Sequence, residues 1–172
     1  MADTVKQELS VLLAPRNGLI ICGLVSAALL AGAFLFEYVG GLAPCKLCIW
    51  QRWAHVGIIV AAGAGLAFLP LRTALLITMA AALTSAGIAG YHAGVEWKLW
   101  DGPSGCSSAL GGNLSASDLV DSLLATPVVR CDDVPWSLFG LSMAGWNMLL
   151  SLDISGVALL SFIFGGRQVS AE

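Results

Sequence analysis

Four apolar runs, each about as long as a bilayer core is thick, divide this chain. They cover approximately residues 18–39, 49–69, 73–94 and 138–165. A helix needs about 20 such residues to cross a membrane, and glycines and prolines mark the breaks between the first runs. Because 58% of the residues are hydrophobic and only 11% are charged, a soluble domain is excluded. We therefore predict an all-α membrane protein, a bundle of four transmembrane helices.

In such a bundle the first and the last loop lie on the side of the membrane opposite the termini. A single domain covering residues 1–172 is expected, with both termini on one side and two loops, about 40–48 and 95–137, on the other. Outside the spans, four basic residues lie on the terminal side and three on the loop side, which favours cytoplasmic termini weakly. The formal net charge of −3 excludes a nucleic-acid partner held by phosphate attraction.

The cysteines have two kinds of surroundings. Cys22 lies inside the first run, where a lone thiol among aliphatic residues is an inert core residue. Cys45 and Cys48 precede or open the second run, and Cys106 and Cys131 lie in the second loop. These four would share one side of the membrane. Because paired thiols persist as disulfides only on an oxidising side, they agree with cytoplasmic termini and with loops on the oxidising side of the membrane.

The C-x-x-C motif of Cys45 and Cys48 is also half of a zinc site, which Cys106 and Cys131 could complete. A structural zinc site usually brings a second close pair, whereas 25 positions separate these two cysteines in a segment rich in glycine and serine. Two disulfide couples, one at the membrane surface and one on a loop, fit the spacing better. We expect no metal site.

Basic side chains follow the motif into the second run. Arg52 is at i+4 from Cys48 and His55 at i+7, so on a helix beginning near Cys48 the three side chains lie along one face. An arginine inside a span usually faces a cavity or a partner, although this one is near enough to the interface to snorkel. A cation beside a helix N-terminus would favour the nucleophilic thiolate form of Cys48.

Other polar residues are weaker candidates. His92 and Glu96, at i and i+4, could both face the pocket below the C-x-x-C motif and titrate during a redox reaction, but an interfacial polar pair explains them equally well. Asp153, inside the fourth run, is expected to be protonated or near the cytoplasmic face, without a catalytic role. In the second loop, Ser115 and Asp118 resemble a capping box, which predicts a short amphipathic helix.

Several motifs together carry a family resemblance. They are Cys45-Lys46-Leu47-Cys48 with Gln51-Arg52, the run from Tyr91 to Trp97, the run from Gly102 to Cys106, and Arg130-Cys131-Asp132 with Pro135-Trp136. In these motifs the chain resembles the disulfide bond formation protein B family over all four spans and both loops. The resemblance implies a bacterial inner-membrane protein-dithiol:quinone oxidoreductase that reoxidises a periplasmic, DsbA-type oxidase of the thioredoxin fold.

The resemblance also implies a role for each cysteine outside the first run. Cys106 would be attacked by the thiolate of the partner oxidase, and Cys131 would be its disulfide partner. Cys45 and Cys48 would form the second couple. This couple would be reoxidised by the quinone.

The acceptor implied by the resemblance is ubiquinone or menaquinone, a lipid-soluble oxidant able to reach a thiol at the top of a membrane helix. Cys48 would contact its ring and Arg52 would orient it, with His92 and Glu96 as further candidates for its pocket. Two alternatives stay open. One is a vitamin K epoxide reductase-like quinone reductase, and the other is a non-enzymatic four-span protein whose disulfide staples a partner-binding loop.

Overall fold

Long helices dominate the structure. The computed structural model describes residue 8, residues 11–103, residue 106 and residues 129–169, with the backbone alone for 165–169. The helices of this part are α1 (Pro15–Tyr38), α2 (Lys46–Ala67), α3 (Leu71–Glu96) and α4 (Met143–Val169). Each contains a stretch long and apolar enough to cross a bilayer. The prediction of an all-α bundle with four transmembrane helices is confirmed, and the protein is a multi-pass membrane protein.

Local capping sets where the second helix begins. α2 starts at Lys46, three residues earlier than predicted, because Cys45 is its N-cap: the Cys45 Sγ accepts the backbone N–H of Cys48 at 3.2 Å. Cys48 therefore lies in the first turn of α2 and not in the preceding loop. The amphipathic helix predicted near Ser115 lies outside the described residues.

The predicted start of the fourth span, near residue 138, is wrong. A hairpin occupies that position, with β1 (Ser137–Leu138) antiparallel to β2 (Leu141–Ser142). The two turn residues, Phe139 and Gly140, have φ values of 54° and 79°, the left-handed conformation typical of two-residue hairpin turns. The apolar run hides this turn because hydropathy alone does not distinguish a short hairpin from the first turn of a helix.

Small side chains allow the helices to approach closely. α3 packs against both α2 and α4, and α1 packs mainly against α2. The core away from the C-x-x-C motif and the loop disulfide consists of Leu19, Cys22, Ile58, Ala62, Ala74, Leu75, Ala82, Ile154 and Ala158. At Gly65 a side chain would collide with Ala74 of α3, so this glycine is needed where α2 meets α3.

The outward faces of the helices are apolar. Large side chains such as Leu24, Leu35 and Val60 are at least 60% exposed, and only 17% of the most apolar window of α1 is buried within the bundle. In water such surfaces would promote aggregation. In a bilayer they meet lipid, while the helices satisfy their own backbone hydrogen bonds.

Candidate functional site

The cysteines outside α1 meet at one end of the bundle. Cys106 and Cys131 form a disulfide, with their Cα atoms 5.3 Å apart. Both are buried in a small cluster that also contains Cys45, Leu47 and Val95. The loop couple is therefore packed directly onto the ends of α2 and α3.

The C-x-x-C couple is asymmetric. The Cys45 thiol donates to the Cys48 sulfur at 3.0 Å, and Cys45 is only 5% exposed whereas Cys48 is half-buried. The hydrogen bond to Cys48 and burial together raise the pKa of the Cys45 thiol well above its ordinary range. Cys45 thus keeps its proton, and Cys48 presents the more accessible sulfur.

The two couples lie side by side. The sulfurs of Cys45 and Cys131 and a ring nitrogen of His92 all lie within 4.8 Å of one another. The His92 Nε2 is 3.6 Å from the Cys45 sulfur and 3.8 Å from a carboxylate oxygen of Glu96. Thiolate donors at this spacing could also hold a metal ion, but Cys131 is bonded to Cys106, and a thiolate is the form that ligates metals. The geometry suits disulfide exchange between the couples.

A cavity of about 530 Å³ opens below the C-x-x-C motif. Its lining includes Cys45, Cys48, Arg52, His92 and Glu96, whereas Cys106 and Cys131 lie outside it. Its walls are mainly apolar and aromatic, formed by residues that include Leu29, Ala33, Phe36, Trp136, Trp146 and Leu150. An apolar cavity of this size with a few converging polar groups suits a flat, lipid-soluble ligand.

Arg52 is fixed on the wall of this cavity by α1. Its Nη1 donates to the Glu37 carboxylate, its Nη2 donates to the Ala33 carbonyl at 3.2 Å, and its guanidinium lies 4.9 Å from the centroid of the Phe34 ring. The side chain is 18% exposed, so these contacts hold it inside the bundle. The prediction of a shared face is confirmed, because Cys48, Arg52 and His55 all line the cavity.

Sequence reasoning missed several polar residues of the site. Gln51 and Asn147 also line the cavity, and Glu37 is the carboxylate that pairs with Arg52. Ser142 is the N-cap of α4 and its hydroxyl donates to the Glu96 carboxylate. The sequence offered a signal for Glu37 and Asn147, since both lie inside apolar runs and intramembrane polar residues usually serve a function.

Charged residues hold the segment after Cys131 against the end of α3. The Lys98 ammonium donates to the Asp132 carboxylate at 2.7 Å, and the Arg130 guanidinium does so at 2.7 Å. Arg130 and then Lys98 hold the pKa of Asp132 well below its usual range. Of the two pairs, the one with Lys98 joins the segment of the loop disulfide to the end of α3.

The remaining candidates lie away from the cavity. Cys22 is fully buried in the core of the bundle, with its sulfur 3.6 Å from the Ile154 carbonyl. Asp153 lies on the outer, exposed face of α4, about 15 Å along the axis from the start of the helix at 1.5 Å per residue. The expectation that neither residue is catalytic stays a prediction.

Comparison with known proteins identifies the family. A family model described as Disulfide bond formation protein DsbB matches residues 15–162. The chain belongs to the DsbB family. The Disulfide bond formation protein B of Verminephrobacter eiseniae is 32% identical over 158 residues, covering 88% of each chain. That of Methylococcus capsulatus is 33% identical over 156 residues, covering 86% of this chain and 93% of its own.

DsbB membership agrees with the geometry of the cysteines. The match covers α1, α2, α3 and α4 as far as residue 162, and it includes the four cysteines at the end of the bundle. The resemblance inferred from the sequence motifs is therefore confirmed. The protein is a membrane oxidoreductase of disulfide bond formation.

Proposed function

We propose that the protein reoxidises a periplasmic DsbA-type dithiol oxidase and passes the electrons to a membrane quinone, ubiquinone or menaquinone. The observation that carries this proposal is the placement of the couples. The Cys45 and Cys131 sulfurs lie within 4.8 Å of each other, and Cys48 faces an apolar cavity. Electrons entering at the loop disulfide thus have a short route to a lipid-soluble acceptor.

In the first exchange, a thiolate of the partner attacks Cys106. A mixed disulfide forms and the Cys106–Cys131 bond breaks, leaving Cys131 as a thiolate. The second thiol of the partner then attacks the mixed disulfide. The partner leaves oxidised, and the loop couple has gained two electrons and two protons.

In the second exchange, Cys131 attacks Cys45 of an oxidised Cys45–Cys48 couple. The new bond joins Cys131 to Cys45 and releases the sulfur of Cys48. Cys106 then displaces Cys45, which restores the loop disulfide and leaves a dithiol in the C-x-x-C motif.

The quinone, when bound, accepts the two electrons and two protons of the C-x-x-C dithiol. Cys48 faces the cavity in which the ring would lie, and Arg52 offers a fixed positive charge to a ring oxygen. Cys45 holds a proton through its bond to Cys48. His92 and Glu96, next to Cys45, can hold and move that proton once the sulfur is oxidised.

The proposed location is the bacterial inner membrane. Four spans put the termini on one side, and stable disulfide exchange requires the cysteine end to face an oxidising compartment. Cytoplasmic termini and periplasmic cysteine loops satisfy both conditions.

Turnover with purified components tests the proposal. The protein in lipid nanodiscs is mixed with a reduced DsbA-type partner, with and without a short-chain ubiquinone. We expect continuous oxidation of the partner only with quinone. Cys48→Ser should abolish that turnover, whereas the matched variant Cys22→Ser should keep it.

An outcome in cells would favour the non-enzymatic alternative. If Cys45→Ser and Cys48→Ser lowered the stability of the protein but left periplasmic thiol oxidation unchanged, the couple would be a structural staple. Loss of oxidation with normal membrane insertion is the result expected of the enzyme.

A further inference from the structure

A connected network of polar side chains lies inside the bundle. Its members come from all four helices: Ser26 of α1, Gln51 and His55 of α2, Ser85 and His92 of α3, and Asn147 and Ser151 of α4. All but Asn147 are buried. Such groups are costly in a bilayer unless they bond to each other, and they usually mark a site.

His55 is the centre of the network. Its Nε2–H donates to the Asn147 Oδ1 at 2.8 Å, its Nδ1 lies 3.2 Å from the Ser26 hydroxyl, and the Ser85 hydroxyl is 3.3 Å from Nε2. The network thus joins the middle of α2 to the facing surfaces of α1, α3 and α4.

The network also reaches the thiols. The Asn147 amide donates to the Gln51 Oε1 at 2.7 Å, and the Gln51 amide donates to the His92 Nδ1 at 3.0 Å. A neutral His92 therefore carries its proton on Nε2, the nitrogen that lies 3.6 Å from the Cys45 sulfur. The polar network and the C-x-x-C couple form one continuous arrangement.

The cavity has polar groups at both ends. His55 and Asn147 line the same cavity as Cys48 and Arg52, and seven residues along α2 place His55 about 10 Å deeper than Cys48. Ser26 and Ser85, the two serines that contact His55, are absent from the described lining, so they hold His55 from the side away from the cavity. Apolar wall residues such as Leu150 complete the lining.

We infer that His55 and Asn147 form a second polar subsite of the cavity, which holds the ring oxygen of the quinone farther from Cys48. The inference rests on the proposed function. A quinone ring carries oxygens on opposite sides, so a ring with one oxygen at Arg52 directs the other away from it. The ring would then be held at both oxygens, by Arg52 at one and by His55 and Asn147 at the other.

The donors and acceptors of the subsite suit both redox forms of the ligand. A quinone oxygen only accepts hydrogen bonds, whereas the hydroxyl of the quinol also donates. The Asn147 amide offers both kinds of atom, and its bond to Ser85 is long, at 3.4 Å, so a ligand oxygen can replace it. The two electrons and two protons gained by the ring come from the Cys45 and Cys48 dithiol, which becomes a disulfide.

Equilibrium binding tests the subsite without turnover. Trp136 and Trp146 line the cavity, so a short-chain ubiquinone should quench their fluorescence on binding. We expect His55→Leu and Asn147→Leu each to raise the Kd about tenfold, which corresponds to about 1.4 kcal/mol. The matched control Ser151→Ala removes a buried network member that the described lining does not include, and should leave the Kd within about twofold.

Two further measurements separate binding from folding. His55→Gln keeps a hydrogen-bond donor and should restore most of the affinity lost in His55→Leu. Exchange of the Cys106–Cys131 disulfide with a reduced partner, in the absence of quinone, should be unchanged in each variant. If His55→Leu fails to fold, the Kd values of Asn147→Leu and His55→Gln test the subsite.

The outcomes distinguish the two proposals. Unchanged Kd values for His55→Leu and Asn147→Leu, with normal quinone reduction, would overturn the subsite and leave the proposed function standing. An equal loss of affinity in Ser151→Ala would show that the network only supports the bundle, and would also overturn the subsite. A wild-type protein that neither binds nor reduces quinone would overturn the proposed function itself.

Discussion

Arg52 depends on α1 for its position on the cavity wall. Its side chain contacts a carboxylate, a carbonyl and an aromatic ring, supplied by Glu37, Ala33 and Phe34. An arginine without such partners near a membrane surface would extend into the interface. These contacts instead keep the guanidinium beside the space below Cys48, where we propose that the quinone ring binds.

Replacement of Arg52 should therefore affect one half-reaction. We expect Arg52→Ala to lower kcat/KM for quinone about tenfold or more, as for a lost charge-assisted hydrogen bond, while exchange with the reduced partner changes little. Stopped-flow measurement of the two half-reactions checks this. Arg72→Ala is the matched control, since Arg72 also lies over an aromatic ring, that of Phe162, at the opposite end of the bundle. Equal losses in both half-reactions would contradict the role of Arg52.

The asymmetry of the C-x-x-C couple predicts its reactivity. Because the bond to Cys48 and burial raise the pKa of Cys45, its thiol stays protonated at pH values where an ordinary cysteine, with a pKa near 8.5, ionises. In the state with Cys45 and Cys48 reduced, iodoacetamide should modify Cys48 first at pH 7 to 9. Mass spectrometry of the peptides checks the order.

A denatured sample provides the control for alkylation. After unfolding in urea and detergent, Cys45 and Cys48 should react at similar rates, because the hydrogen bond and the burial are lost. Faster modification of Cys45 in the folded protein would show that the proton resides on Cys48.

At the scale of elements, the structure differs from the sequence predictions mainly at the ends of helices. Hydropathy located every span, because about 20 apolar residues are hard to place elsewhere. It placed α4 five residues too early, since the turn at Phe139 and Gly140 depends on backbone conformation. It also missed the pairing of Glu37 with Arg52, because the rotation of one helix against another is decided by packing.

Asp132 holds the segment after Cys131 to the end of α3 through its ion pair with Lys98, and this attachment should depend on pH. Its carboxylate has a lowered pKa in the folded protein, so the ion pairs are fully present above the ordinary aspartate pKa of about 3.9 and are lost only as the pH falls through the lowered value. Reduction of the loop disulfide by a phosphine should stay slow from pH 7 to about 4. The reduction should accelerate as the pH falls further, through the lowered pKa of Asp132.

Variants of the two neighbouring aspartates separate this effect from general acid unfolding. Asp132→Asn should speed reduction severalfold at neutral pH and remove the acid-dependent step. Asp133→Asn should retain the step, because the Asp133 side chain is 69% exposed. The ion pair described for Asp133 is with Arg130, at 3.7 Å, and does not reach α3. The same acid step in Asp132→Asn would show that another group controls the loop.

At the scale of the whole molecule, the two ends of the bundle differ in the residues that they contain. The cysteine end contains the two couples, and toward the opposite end lie an apolar core and the short turn between α2 and α3. The sequence predicts this difference between the two ends, because the positions of the cysteines and of the apolar runs can be read from it directly. It could not predict the network around His55, whose members are up to 125 positions apart, from Ser26 to Ser151.

The orientation of the bundle can be tested with single cysteines at its two ends. Val39, after α1, is 79% exposed at the cysteine end, and Phe68, after α2, is 81% exposed at the other. In a background with Cys45, Cys48, Cys106 and Cys131 replaced by serine, a membrane-impermeant maleimide added to spheroplasts should label Val39→Cys directly. It should label Phe68→Cys only after permeabilisation. The reverse pattern would put both couples in the reducing cytoplasm, where their disulfides would not persist, and would contradict periplasmic exchange.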